Sequence, residues 1–179
     1  MREYFGNGDE CHLLYHFPLA EALIFEAVMG EKNFSAEYLR RFNDVPKGSS
    51  WLAFLRNHDD ISLETLSKAA KQRMVRRLDP KNQFQFGNGV ALRLRNACAK
   101  SAAGTDQCAR DIIKKLFSIP APIVIYYGDE IGMENSTFSK GAHDVRKFVR
   151  GPFNWAEAEK QRSDPGSIFS FIKTLVAAR

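Results

Sequence analysis

The sequence predicts an α/β fold, and three observations carry that prediction. Short continuous apolar runs occupy residues 11–17, 51–55 and 123–127. Stretches with apolar residues three and four apart lie between and after these runs, as helices packed on one face require. The second and third runs both end in polar, acidic clusters, which is where parallel sheets place their chemistry. Strand, helix, strand, helix, strand, helix is the order of a parallel sheet covered by helices.

The first run, residues 11–17, closes at Pro18, whose missing N–H suits a strand end or a helix start. It reads as a buried strand. Residues 19–29 form a helix on the spacing of Leu19, Leu23, Ile24, Ala27 and Val28, with Gly30 able to end it. Ser35 to Phe42 reads as a short helical piece and residues 46–50 as a turn. The second strand, residues 51–55, is apolar throughout, as a strand covered on both faces should be, and ends in Arg56-Asn57-His58-Asp59-Asp60. Ser62 and Thr65 start a helix running to about Arg77, followed by a loop rich in Gly and Asn over residues 79–89. A helix over residues 106–117 stops at Pro120-Ala121-Pro122. The third strand, residues 123–127, is β-branched and aromatic and ends in Gly128-Asp129-Glu130-Ile131-Gly132. The last helix covers residues 164–178, with Asp164 as cap and Pro165 in its first position.

With 44% hydrophobic and 26% charged residues, the chain of 179 is that of a folded protein and excludes disorder. No apolar run approaches the roughly 20 residues that a membrane-spanning helix needs. The formal charge of +5 raises the question of nucleic acid, but the densest basic stretch, residues 68–77, has no stacking aromatics interleaved and reads as a solvated helix face. Neither nucleic acid nor a membrane is therefore expected as a partner. Three widely spaced cysteines, Cys11, Cys98 and Cys108, make no disulfide framework or zinc signature, and the polar amino terminus carries no export signal. A cytoplasmic location is expected.

Asp59, after the second strand, and Asp129 and Glu130, after the third, are candidate site carboxylates; capping of the following helices is the alternative. Asn57, His58 and Asp59 place a donor, an acceptor and an anion in successive residues, a combination that suits a polyhydroxylated ligand such as a sugar. A metal held by His12, His16 and His58 fails on geometry, because residues four apart on a strand lie roughly 13 Å apart. Gly87-Asn88-Gly89 lacks the Lys-Ser/Thr of a phosphate loop. No metal or cofactor is expected.

Phe54-Leu55-Arg56-Asn57-His58-Asp59 and Ile123-Val124-Ile125-Tyr126-Tyr127-Gly128-Asp129-Glu130-Ile131-Gly132 resemble the seventh- and eighth-strand motifs of the α-amylase superfamily, glycoside hydrolase family 13. Residues 6–12 with 16–19 are similar to the sixth-strand region of its trehalose synthases and related α-glucosidases. Arg150-Gly151-Pro152-Phe153-Asn154-Trp155 resembles the Arg-Thr-Pro-Met-Gln-Trp segment of that subgroup, departing from it at Gly, Phe and Asn.

The resemblance implies that residues 1–179 are the carboxyl-terminal part of a catalytic barrel, an incomplete domain holding about the last three units of a (β/α)8 TIM barrel. A full barrel takes about 250 residues. It implies a protein acting on α-glucosides or α-glucans by retaining hydrolysis or transglycosylation, in which Asp59 is the third, transition-state-stabilising carboxylate. Asn57, His58 and Arg150 would bind substrate, and Asp129 and Glu130 would be structural or lie at the site's edge. The family's nucleophile and acid/base come from the fourth and fifth strands, so this chain alone is expected to be inactive and to self-associate through exposed barrel edges. The alternative is a non-catalytic sugar-binding or vestigial protein.

Overall fold

A computed structural model describes residues 2–137 and 144–179. It is a mixed α/β structure. Strand β1 (Leu13–Tyr15) pairs in parallel with β2 (Ser50–Leu52), with Leu14 opposite Trp51. The array extends through a single parallel bridge from Ala53 to Ile123: the Ala53 N–H donates to the Pro122 carbonyl, and the Val124 N–H donates to the Ala53 carbonyl, both at 2.9 Å. The three apolar runs of the sequence therefore lie side by side.

All three runs form less strand than expected: β2 ends at Leu52 with a bridge at Ala53, the third run contributes only the bridge at Ile123, and the two flanking runs are cut short for local reasons. At the first, His16 caps α1 (Phe17–Met29), its Nδ1 accepting the Leu19 N–H at 3.0 Å, so Phe17 already belongs to the helix. Leu13 and Tyr15 are exposed, which corrects the reading of a buried strand. At the third, the Tyr126 carbonyl accepts the Asp129 N–H at 3.1 Å, and Gly128 at φ 87° turns the chain before a ladder can extend.

The remaining helices are α2 (Ala36–Arg40), α3 (Lys68–Leu78), α4 (Leu94–Cys98), α5 (Thr105–Phe117), α6 (Trp155–Ser163) and α7 (Ile168–Ala177). Helices α1 and α5 pack together. Their Leu23, Ile24, Phe25, Ile112, Ile113 and Leu116 join Ala53 and Leu55 in one buried core. Burying each large side chain there contributes about 1.5–3 kcal/mol. No helix among the described residues is long and apolar enough to cross a membrane.

Two boundaries move because hydroxyl caps compete with the expected starts. Ser67 caps α3, its side chain accepting the Ala70 N–H, so residues 62–67 precede the helix. Ser167 caps α7 in the same way through the Ser170 N–H, and Asp164 ends α6 instead of starting the last helix.

The expected loop over residues 79–89 contains a hairpin. Strands β4 (Gln85–Phe86) and β5 (Gly89–Val90) pair antiparallel, and β5 also pairs with β3 (Ile61–Ser62), giving a small sheet in the order β3, β5, β4. Two-residue strands carry no readable alternation, which is why the sequence reads as a loop here. The hairpin lies against the loop that follows β2. A Cβ on Gly89 would fall 2.1 Å from Asp60 Oδ2 and 2.4 Å from the Ile61 carbonyl oxygen.

Candidate active site

Chain direction brings Asn57, His58 and Asp59 to the carboxyl end of the central strand run. Asn57 shapes that turn: its Oδ1 accepts the N–H groups of Asp59 at 2.7 Å and Asp60 at 3.1 Å. This side chain-to-backbone turn presents the next two side chains outward. The amide oxygen of Asn57 is spent on its own loop, so its remaining capacity for a ligand is the NH₂ group.

Two arginines and a histidine approach the Asp59 carboxylate. Arg150 donates to its Oδ1 through Nη2, and through Nε to the His58 carbonyl at 2.9 Å. Arg146 reaches the same Oδ1 through Nη1 at 3.3 Å. His58 Nε2 lies 3.3 Å from Oδ2. The Asp59 side chain keeps 29% of its surface exposed and His58 keeps 63%, so the group is anchored yet open to solvent.

Arg146 and its support were not read from the sequence. Asp144 holds the Arg146 guanidinium by Oδ1 to Nε at 2.9 Å and Oδ2 to Nη2 at 2.8 Å, and it also accepts the Arg146 N–H at 3.0 Å. The bonds from Arg146 hold the Asp144 carboxyl well down, at about 2. The opposite face of the guanidinium lies over the Phe86 ring, 4.5 Å from its centre, and Phe148 packs edge-on against Phe84 at 5.0 Å. The hairpin found between α3 and α4 thus forms a wall beside Asp59. The nearest readable signal was the hexapeptide beginning at Arg150, whose upstream arginine four residues away falls outside the motif.

Asp129 makes its charge contacts with Arg56 and Arg93. Asp129 is buried, with Oδ1 3.6 Å from Arg56 Nη1 and 4.0 Å from Arg93 Nη1. Burial pushes its carboxyl up to about 6, and the two guanidiniums act against that rise. Arg56 donates through Nε to the Leu92 carbonyl at 2.9 Å and stacks 4.4 Å from the Tyr126 ring centre. Arg93 donates to the Tyr127 carbonyl and lies 4.7 Å from the Tyr127 ring centre. This cluster ties the second apolar run, α4 and the third apolar run together beneath the Asp59 loop.

Asp60 faces inward against Gly89, and burial first, then the neighbouring Asp59 and Glu21, push its carboxyl up to about 6. His16 is packed between Trp51 and Phe42, and burial lowers it to about 4. Among the described residues no group of three or more His, Cys, Asp or Glu is placed to hold a metal ion. The arrangement offers one anchored, partly open carboxylate beside a histidine and two arginines, a set able to receive hydroxyl donors at Asp59 Oδ2 and hydroxyl acceptors at His58 and Arg150.

No protein-family model matches the chain. The chain is 28% identical to the trehalose synthase of Thermus thermophilus over 204 aligned residues, covering 98% of this chain and 21% of that one. It is 32% identical to the trehalose synthase/amylase of Mycolicibacterium smegmatis over 174 residues, covering 93% of this chain and 28% of that one. It therefore spans only 21% to 28% of the length of these curated relatives. The structure matches the crystal structure of sucrose 6F-phosphate phosphorylase from Thermoanaerobacter thermosaccharolyticum with a TM-score of 0.70, covering 97% of this chain and 37% of that one. At 14% identity this is a likeness of fold.

Proposed function

The chain is a sequence relative of the trehalose synthases in the α-amylase superfamily, and from that premise we propose that residues 1–179 form about the last three units of a (β/α)8 catalytic barrel acting on α-glucosides or α-glucans. The observation that carries this reading is the hold on Asp59 by Arg146, Arg150 and His58 at the carboxyl end of a parallel strand.

In this reading the reaction is retaining glycoside hydrolysis or transglycosylation. It needs a nucleophile and an acid/base carboxyl about 5–5.5 Å apart, flanking the scissile bond. Asp59 takes neither role. Its Oδ2, the oxygen that the two arginines leave to His58, accepts sugar hydroxyls, and its charge favours the positive character that develops at the anomeric carbon. His58 donates to the same sugar, and Arg150 aligns the carboxylate. Arg56, Arg93 and Asp129 act from below, by fixing the loop that bears Asp59. The two reacting carboxyls are assigned to the part of the barrel outside these 179 residues.

A sugar-binding protein without catalysis is the second reading. It is favoured by Asp60, the carboxylate next to Asp59, which lies against Gly89 in place of a second carboxylate beside it. Either way, β1 offers an edge bearing exposed Leu13 and Tyr15, through which copies of the chain associate.

The test incubates the chain with maltose, starch and a chromogenic α-glucoside, and titrates it with trehalose and maltose under protein-observed NMR. No turnover is expected, with shifts centred on His58, Asp59 and Arg150 that vanish in Asp59→Asn. Turnover abolished by Asp59→Asn would overturn the assignment of the reacting carboxyls. Sugar shifts that ignore Asp59 would overturn the site.

A further inference from the structure

Glu21 lies in the second turn of α1, between Ala20 and Ala22, and is 1% exposed. Burying a carboxylate is costly unless donors replace the water it gives up. Four do so here. Oε1 accepts the Ser62 hydroxyl at 2.6 Å and the Glu64 N–H at 3.2 Å, and Oε2 accepts the Thr65 hydroxyl at 2.7 Å and the Thr65 N–H at 2.8 Å. Each oxygen takes one hydroxyl and one N–H, which fills the acceptor positions of the group. All four donors belong to the segment that begins three residues after Asp59.

That segment is the far end of the turn bearing Asp59. The near end is fixed by Arg56, whose Nε donates to the Leu92 carbonyl at 2.9 Å. The turn closes on itself where the Asn57 N–H donates to the Asp60 carbonyl at 3.3 Å. Beyond it, Ile61 and Ser62 of β3 pair with Val90 and Gly89 of β5, and the Ser62 side chain reaches α1 at Glu21. Arg146 and Arg150 come from a distant part of the chain, so Asp59 meets them only if its turn is fixed relative to the rest of the fold. Three residues span at most about 11 Å, so slack at Ser62 is delivered directly to Asp59.

We propose that Glu21 is a positioning residue for Asp59: through Ser62 and Thr65 it ties the far end of the Asp59 turn to α1 and so sets where the carboxylate stands between His58 and the two arginines. The inference rests on the reading of Asp59 as the sugar-facing carboxylate. A misplacement of about 1 Å is enough to cost on the order of 100-fold at a reacting centre. The competing account is that Glu21 only staples α1 to the segment before α3, adding stability and nothing to the site.

The test compares the parent chain with Glu21→Gln, which keeps the shape but turns one acceptor oxygen into a donor, and with Ile113→Val, a core change in α5 that lowers stability away from the turn. Amide hydrogen exchange is followed by NMR at Asp59 and Asp60, whose N–H groups bond Asn57 Oδ1. In Glu21→Gln these two amides should exchange at least about tenfold faster while those of Ile112 and Ile113 keep their parent rates, and trehalose titration should show affinity weakened by about tenfold. Ile113→Val should leave both readouts at Asp59 as in the parent. Thr65→Val, which removes one hydroxyl donor and keeps the N–H, should loosen the same two amides and serves where Glu21→Gln does not fold. Unchanged protection of Asp59 and Asp60 in the Glu21 and Thr65 variants, or equal loosening in Ile113→Val, would overturn the proposal. A parent chain that binds no sugar would instead sink the reading of Asp59, since the exchange measurement decides the role of Glu21 without any ligand.

Discussion

Arg146 Nη1 lies 3.3 Å from Asp59 Oδ1, joining residues 87 positions apart at the oxygen that Arg150 also grips. Both arginines converge on one side of the carboxylate, so the other oxygen is left to His58 and to a ligand. In the proposed reading this geometry separates two tasks, being held in place by the arginines at Oδ1 and receiving a sugar hydroxyl at Oδ2.

In a full-length barrel of the kind proposed, Asp59→Asn should lower turnover on the order of 100-fold, the scale of removing one electrostatic stabiliser. The amide keeps the shape and loses the charge. Steady-state kinetics with an α-glucoside, checked against an unchanged melting temperature, measure this. Near-normal turnover would reduce Asp59 to a loop residue.

Arg56→Met should destabilise the chain by about 3–5 kcal/mol, because it removes one partner of a buried pair and leaves Asp129 short of a counter-charge. Arg56→Met combined with Asp129→Leu should cost less than the sum of the two single changes. Urea titration of the four forms gives the coupling. Strict additivity would mean that the 3.6 Å separation carries no interaction.

Acidification should act on stability in opposite directions at two sites. His16, lowered to about 4, binds its proton more readily when unfolded, so its contribution is present above about 6.5 and is lost as pH falls toward 4. Asp60, raised to about 6, binds its proton more readily when folded, so its burial penalty is relieved as pH falls from about 6 toward its unfolded value near 3.8. Each effect is at most about 3 kcal/mol. Asp60→Asn should therefore be more stable than the parent at pH 7.5 and lose stability more steeply between pH 6.5 and 4. Parallel pH profiles of the two proteins would contradict this.

Gly89→Ala should destabilise the chain by about 1–3 kcal/mol, since the new methyl group meets the Ile61 carbonyl, which is backbone and cannot rotate away. Sugar shifts at Asp59 should weaken with it, because the hairpin bearing Phe86 backs Arg146. A variant with unchanged stability would show that the contact relaxes freely.

The contiguous features were legible in the sequence. Leu13–Tyr15 pairs with Ser50–Leu52 and Ala53 bridges to Ile123, so the three apolar runs are neighbours although only part of each is strand, and Asn57, His58 and Asp59 stay together after the second run because three successive residues cannot separate. Helices α1 and α5 followed from apolar spacing, since periodicity is a local property of the chain. Tertiary structure decided what depends on distance: Arg146 beside Asp59, Phe86 beneath Arg146, Asp129 between Arg56 and Arg93, and Gly89 against Asp60. Strands β3, β4 and β5 belong with these, because two residues are too few for alternation and their partners are 27 to 29 positions away for β3 and β5. A carboxylate's neighbours are set by how the chain packs, and packing energy is summed over contacts that no sequence window contains.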